Sequence, residues 1–173
     1  MEPADPQDPR RLYVTRVQTA INSPDELHGN STAYVGGDLD YTLRAFPNHA
    51  RALMSMAKLS LRDKRPTPTG AQFSIDCYFD RAFRFQPDDP MPRLIAGLYY
   101  IKLKNLGEAR ENITIADSLS ESSQDANLHY NLGLAYLDLK ELDKSVEHAK
   151  KAYDAGFPLP GLRNMLRDAG AWP

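Results

Sequence analysis

The stretch that most constrains this chain is Asn127–Pro158, NLHYNLGLAYLDLKELDKSVEHAKKAYDAGFP. Leu128, Leu132, Ala135, Tyr136 and Leu139 recur at helical spacing, and Val146, Ala149, Ala152 and Tyr153 do the same beyond a polar corner at Leu139–Asp143. Small residues stand where two such helices must approach closely: Gly133, Ser145 and Ala152, with bulky Tyr136 beside them. A single helical hairpin cannot bury its apolar face, so this unit demands neighbours.

The neighbours are upstream. Gly97 lies 36 residues before Gly133, and at the same offset Tyr100 matches Tyr136, Ala109 matches Ser145, Ile113 matches Ala149 and Ala116 matches Ala152. Another 40 residues back, Ala57 takes the glycine place, and Phe79, Ala82 and Pro87 follow in a second helix. That first corner is swollen by Arg62–Gly70, RDKRPTPTG, whose two prolines cannot continue a helix. The order of marks resembles the tetratricopeptide repeat (TPR): Leu132–Gly133, then Tyr136, Ser145, Ala152 and Pro158, the proline one residue late. The resemblance implies an all-α, right-handed solenoid of about three helical hairpins, near residues 48–87, 88–124 and 125–158, with a capping helix near 160–169. The TPR-like domain is expected over 38–173, preceded by a tail and arm over 1–37.

Local signals place the elements. Met1–Arg11 reads as a tail, Leu12–Ile21 as an extended arm, and Ser23-Pro24-Asp25-Glu26 as the start of a short helix. Gly36-Gly37 is expected to break the chain before a helix Leu39–Phe46 capped by Asp38. A helix His49–Leu61 follows, then one opened by a Thr69/Gln72 capping box and running to Phe85. Asp89-Pro90, Asn105 and Asp125 open later helices, and Gly156 stops one in the left-handed conformation. In the last helix Leu162 and Leu166 should face inward and Arg163 and Arg167 outward, with Trp172 folding back over the end.

Composition narrows the function classes. Net charge is −2, so no overall field recruits nucleic acid or an anionic membrane. The lone Cys77 excludes an internal disulfide and is expected to be buried beside Phe73 and Phe79. No apolar run approaches the roughly 20 residues of a membrane helix. Met1 is followed by acids and prolines rather than a basic and apolar leader, which as written points to the cytoplasm. A second resemblance opens an alternative. Asp40–Leu53, Cys77–Arg81 and Pro158–Asn164 resemble a group of small bacterial TPR proteins from Gram-negative species, many apparently exported. It implies a periplasmic location if Met1 begins a mature chain.

No catalytic constellation emerges, and no cofactor or metal is expected. His28, His49, His129 and His148 fall in separate elements, and the pair His129 and His148 reads as solvated surface histidines. Gly36-Gly37 lacks the lysine of a phosphate loop. Asn30-Ser31-Thr32 and Asn112-Ile113-Thr114 match a glycosylation pattern that arises often by chance, and Asn112 lies mid-helix.

The architecture implied by the resemblance offers a groove lined by the first helix of each hairpin. Residues three, four and seven apart share a face. The first groove face holds Arg51, Met54, Lys58, Leu61 and Arg62, and the second holds Met91, Leu94, Leu98, Ile101 and Lys102. The third holds Asn127, Tyr130, Asn131, Leu134, Leu137 and Asp138. Four large apolar residues on the second face suggest a contact site. The expected function is therefore protein or peptide binding without catalysis, as an adaptor or scaffold that holds a partner's helix or apolar extended segment. Arg51, Lys58 and Arg62 would meet acidic groups of the partner, and Asp138 a basic one. The alternative is a self-associating structural module whose groove face forms a homodimer or is filled by the arm Leu12–Ile21. Met54 and Ile95 stand where the family's carboxylate clamp needs polar residues, so chaperone C-terminal tails are not the expected ligand.

Overall fold

The computed structural model describes residues 35–172; the expectations for the tail, the arm, the Ser23 helix start, His28 and the Asn30 triplet lie outside them. Among the described residues there are eight α-helices and no strand. They divide into two compact units, the first ending at Phe85 and the second beginning at Gln86.

In the first unit α1 is Val35–Ala45, α2 is Ala50–Asp63 and α3 is Ile75–Phe85. The glycine pair does not break the chain. Both glycines lie inside α1, and a Cβ at Gly36 would sit 2.1 Å from the Thr69 carbonyl oxygen, so the helix and the loop touch backbone to backbone. Glycine here serves close approach, not helix termination. The Thr69/Gln72 capping box also does not form, because both backbone N–H groups have longer-range acceptors. Thr69 donates to Asp63 Oδ2 at 2.9 Å, and Gln72 to Asp40 Oδ1 at 3.4 Å. Ser74 Oγ caps α3 instead, accepting from the Cys77 N–H at 3.3 Å. The buried stripe of α3 is Ile75, Tyr78, Phe79 and Ala82, which leaves Cys77 half-buried at its edge rather than enclosed. Asp40, 2 % exposed, is held by Arg44 at 3.0 Å and by the Tyr78 hydroxyl. Burial first, and the Asp40 carboxylate second, push the Tyr78 phenol far above its ordinary value.

The second unit holds α4 (Pro90–Lys102), α5 (Leu106–Leu119), α6 (Ala126–Asp138), α7 (Leu142–Asp154) and α8 (Gly161–Asp168). Asp89, Asn105 and Asp125 are the caps of α4, α5 and α6, each accepting a backbone N–H of the first turn. Helix α4 packs on α5 and α6 on α7; α6 also touches α4 and α5, and α8 lies against α6 and α7. The small residues act where the two hairpins close. A Cβ on Gly97 would meet Ile113 Cδ1 at 2.5 Å, and one on Gly133 would meet Leu162 Cδ2 at 2.5 Å and the Ser145 carbonyl at 3.3 Å. Ser145 Oγ donates to the Gly133 carbonyl at 2.7 Å, tying α7 to α6 through the close approach. Ala109, Ile113, Ala116, Ala149 and Ala152 are fully buried. At the C-terminal end Leu162 and Leu166 are buried, and Trp172 folds back edge-on to Tyr153 with ring centres 5.9 Å apart. Arg167 is exposed as expected, but Arg163 is half-buried, its guanidinium 4.3 Å from the Tyr153 ring centre.

One backbone device recurs in both units. Lys64, Lys104 and Lys140 have left-handed φ of 52°, 59° and 64°. Each lysine N–H donates three residues back, to Leu61, Ile101 and Leu137, and each following N–H donates five back, to Ser60, Tyr100 and Tyr136. The three lysines are spaced by the same offsets, 40 and 36 residues, as Ala57, Gly97 and Gly133. Helices α2, α4 and α6 are thus closed by one and the same joint, and only after the first joint does the chain wander through a loop, residues 65–74, before the next helix.

Candidate functional site

On α2, Arg51, Lys58 and Arg62 are exposed and Met54 and Leu61 half-buried, so the predicted face of that helix is accessible. Arg62 already lies 3.0 Å from Asp63. Burial pushes the Asp63 carboxyl up, but the Thr69 N–H and Arg62 outweigh it and hold the group below its ordinary value.

On α4 and α6 the predicted face survives in part. Leu94 is 1 % exposed and belongs to the core with Ile113, Leu128, Leu132 and Tyr136; it is not a groove residue. It is buried among side chains of α5 and α6, while Leu98, one turn on, packs at the edge of the same cluster. Leu137, 7 % exposed, is lost to a second core cluster with Ala149, Leu162 and Leu166. Ile95, 1 % exposed, is also core. Met91, Leu98 and Ile101 on α4 and Leu134 on α6 are half-buried, leaning on the core while keeping one side open.

The polar members of the face are partly committed. Lys102 Nζ lies 3.7 Å from Asp138 Oδ2, so these two exposed charges meet each other across α4 and α6. Asn131 Nδ2 donates to the Asn127 carbonyl at 2.8 Å. The Tyr130 ring stacks on Phe157 at 3.9 Å between centres, and its hydroxyl accepts the Leu162 N–H at 3.2 Å. Tyr130 is therefore a fastening for α8 as much as a wall of the face. The strongly exposed apolar side chains of this unit lie elsewhere: Leu103 and Leu106 at the α4–α5 corner, and Leu159 and Met165 near α8.

A polar cluster between α5, α6 and α7 overturns one expectation outright. His129 and His148 are 3 % and 1 % exposed, not solvated. Their Nδ1 atoms are 3.1 Å apart; His129 Nε2 lies 3.0 Å from the Ser123 carbonyl and His148 Nε2 3.0 Å from Asp117 Oδ1. The Tyr136 hydroxyl donates to Asp117 Oδ2 at 2.6 Å. The His148 hydrogen bond is the main reason the Asp117 carboxyl is held down at about 2, followed by opposing burial and the Tyr136 hydroxyl. Burial and then Asp117 push the Tyr136 phenol far upward. Helical spacing contained the signal: His148 stands three residues after Ser145 and four before Ala152, and His129 four before Gly133, each on its helix's buried stripe. All four ring nitrogens are engaged inside the protein. Beside the cluster a cleft of about 250 Å³ is lined by Glu121, Ser123, Gln124, His129, Lys151, Asp154 and Ala155.

Asn112 is 4 % exposed, with its side chain between the Glu108 carbonyl and Arg93, which closes it to modification in the folded chain. Among the described residues no group of three or more His, Cys, Asp or Glu side chains is placed to hold a metal ion, and no helix is long and apolar enough to cross a membrane. No protein-family model and no curated protein matches this chain.

Proposed function

We propose that this chain is a non-catalytic protein-binding module, an adaptor or assembly factor of the TPR-like helical-hairpin solenoid class. Its α4–α6 face takes a partner's amphipathic helix or apolar extended segment. One observation carries the reading: Met91, Leu98 and Ile101, at spacings that share one face of α4, and Leu134 on the neighbouring α6 stay only half covered. The joint shared by Lys64, Lys104 and Lys140 supports the repeat class, because a repeated hairpin would reproduce its corner. The Lys102–Asp138 pair bounds the face with a polar rim that can open toward charges on a partner. The exposed basic side chains of α2, Arg51, Lys58 and Arg62, belong to the same reading as a surface for acidic groups.

The test is Leu98→Glu beside Leu103→Glu, an exposed leucine off the face. The partner captured by the wild-type chain from its host should be lost by Leu98→Glu, with binding down at least about tenfold. It should be kept by Leu103→Glu, with helicity and melting temperature equal in the two variants. Light scattering on the same samples separates the alternative: a dimer that falls to monomer only in Leu98→Glu assigns the face to a second copy. Retained binding in Leu98→Glu overturns the reading.

A further inference from the structure

The hydrogen-bond partners of His129 and His148 fix a proton count. A carbonyl oxygen only accepts, so the Ser123 contact at 3.0 Å requires a proton on His129 Nε2. Asp117 accepts the Tyr136 hydroxyl on one oxygen and faces His148 Nε2 with the other, so that nitrogen too must donate. A neutral imidazole carries one N–H, and both rings have now spent theirs. Their Nδ1 atoms would then face each other as two lone pairs at 3.1 Å, in a site where both rings are almost fully buried. One further proton turns that repulsion into an N–H···N hydrogen bond.

We propose that the folded chain holds His129 and His148 as a single-proton pair, one imidazole and one imidazolium joined through Nδ1, with Asp117 as counter-charge. The pair works as a pH-set latch between α5, α6 and α7. The charge is balanced inside the cluster: one positive pair, one carboxylate. Tyr136 on α6 faces the pair as a stacked ring, 5.5 Å from the His148 ring centre, and supplies the second donor to Asp117. From α7, Lys144 sits over the Tyr136 ring at 4.8 Å, and Glu147 is taken up by Lys151 at 2.7 Å. Glu141, at the N-cap position of α7, helps to push the Tyr136 phenol upward. Glu121, Lys151 and Asp154 border the open cleft that His129 also lines, which offers the proton a route in and out.

The sign follows from counting protons. At high pH the unfolded imidazoles bind none and the folded pair binds one, so stability falls as pH rises, with the folding equilibrium dropping up to about tenfold per pH unit. At low pH the unfolded chain binds two and the intact pair still one, so stability falls as pH falls. Stability is therefore greatest where the two imidazoles of the unfolded chain share one proton between them, near their ordinary pH ~6.5, and declines on both sides.

Nitrogen-resolved NMR of the full chain at pH ~6.5 should show both Nε2 atoms protonated, one shared Nδ1 proton, and the two rings titrating together. Two neutral rings, or a ring turned so that carbon faces its partner, would overturn the proposal. The second measurement is stability against pH in wild type and His129→Asn, whose amide offers His148 Nδ1 an uncharged donor. The alkaline decline of the wild type should flatten in the variant; parallel declines would refute the latch. The NMR arm needs no variant and decides the matter even if His129→Asn does not fold.

Discussion

Replacing Asp117 with asparagine keeps an acceptor for His148 but removes the charge set against the histidine pair. The variant should lose about 1–3 kcal/mol at neutral pH, read from urea unfolding. Its acid limb should change as well. The Asp117 carboxyl lies at about 2 in the fold, below its ordinary value near ~3.9, so its contribution is complete above about pH 4 and disappears as pH falls toward 2. Wild type should lose stability across that window, and Asp117→Asn should lack this share of the loss. At this scale the sequence is legible where one residue has one job: Asp89, Asp125 and Asn105 read as caps, and Gly133 and Ser145 as close-packing positions, from type and spacing alone. It is not legible where a polar residue's fate depends on partners brought from elsewhere. His129 and His148 lie on buried stripes that the spacing could have shown, but the carboxylate and carbonyl that make their burial tolerable sit on α5 and the loop after it.

Helix α8 is short, eight residues, and cannot persist unaided in water. What holds it is Leu162 and Leu166, both fully buried against α6 and α7, together with the Tyr130 hydroxyl on the Leu162 N–H. Leu166→Ala should cost about 2–5 kcal/mol in urea unfolding. It should also red-shift the emission of Trp172, the only tryptophan, whose backbone N–H donates to the Leu166 carbonyl at 3.2 Å and whose ring packs at the same core cluster. Element boundaries failed where tertiary partners outbid local ones. Glycine at 36 and 37 is a helix breaker by propensity, yet α1 passes through both because the Thr69 backbone needs the space. Thr69 and Gln72 form a capping box on paper, yet Asp63 and Asp40 claim their N–H groups.

The second unit contains core clusters of its own, one around Leu94, Ile113, Leu132 and Tyr136 and one around Leu137, Ala149, Leu162 and Leu166. Residues 86–173 expressed alone should therefore fold, giving a helical circular dichroism spectrum and one cooperative melting transition. A featureless melt would show that this core needs residues before Gln86. The all-α class was readable from periodicity, and the recurrence of marks at offsets of 40 and 36 was readable as repetition. The balance between core and surface on α4 was not: Leu94 and Leu98 are one helical turn apart and alike in chemistry, and only the packing of the neighbouring helices separates a sealed side chain from a half-open one. The left-handed lysine joint has a consequence for how such chains tolerate added length. Lys64 and Arg65 complete the joint before residues 66–74 begin, so those residues are spliced behind a finished hinge and leave the helix ahead of it undisturbed. Behind Lys104 and Lys140 the residue that completes the joint, Asn105 or Glu141, already stands at the N-cap of the next helix, so the corner behind Lys64 is the natural port for grafting an epitope or a protease recognition sequence.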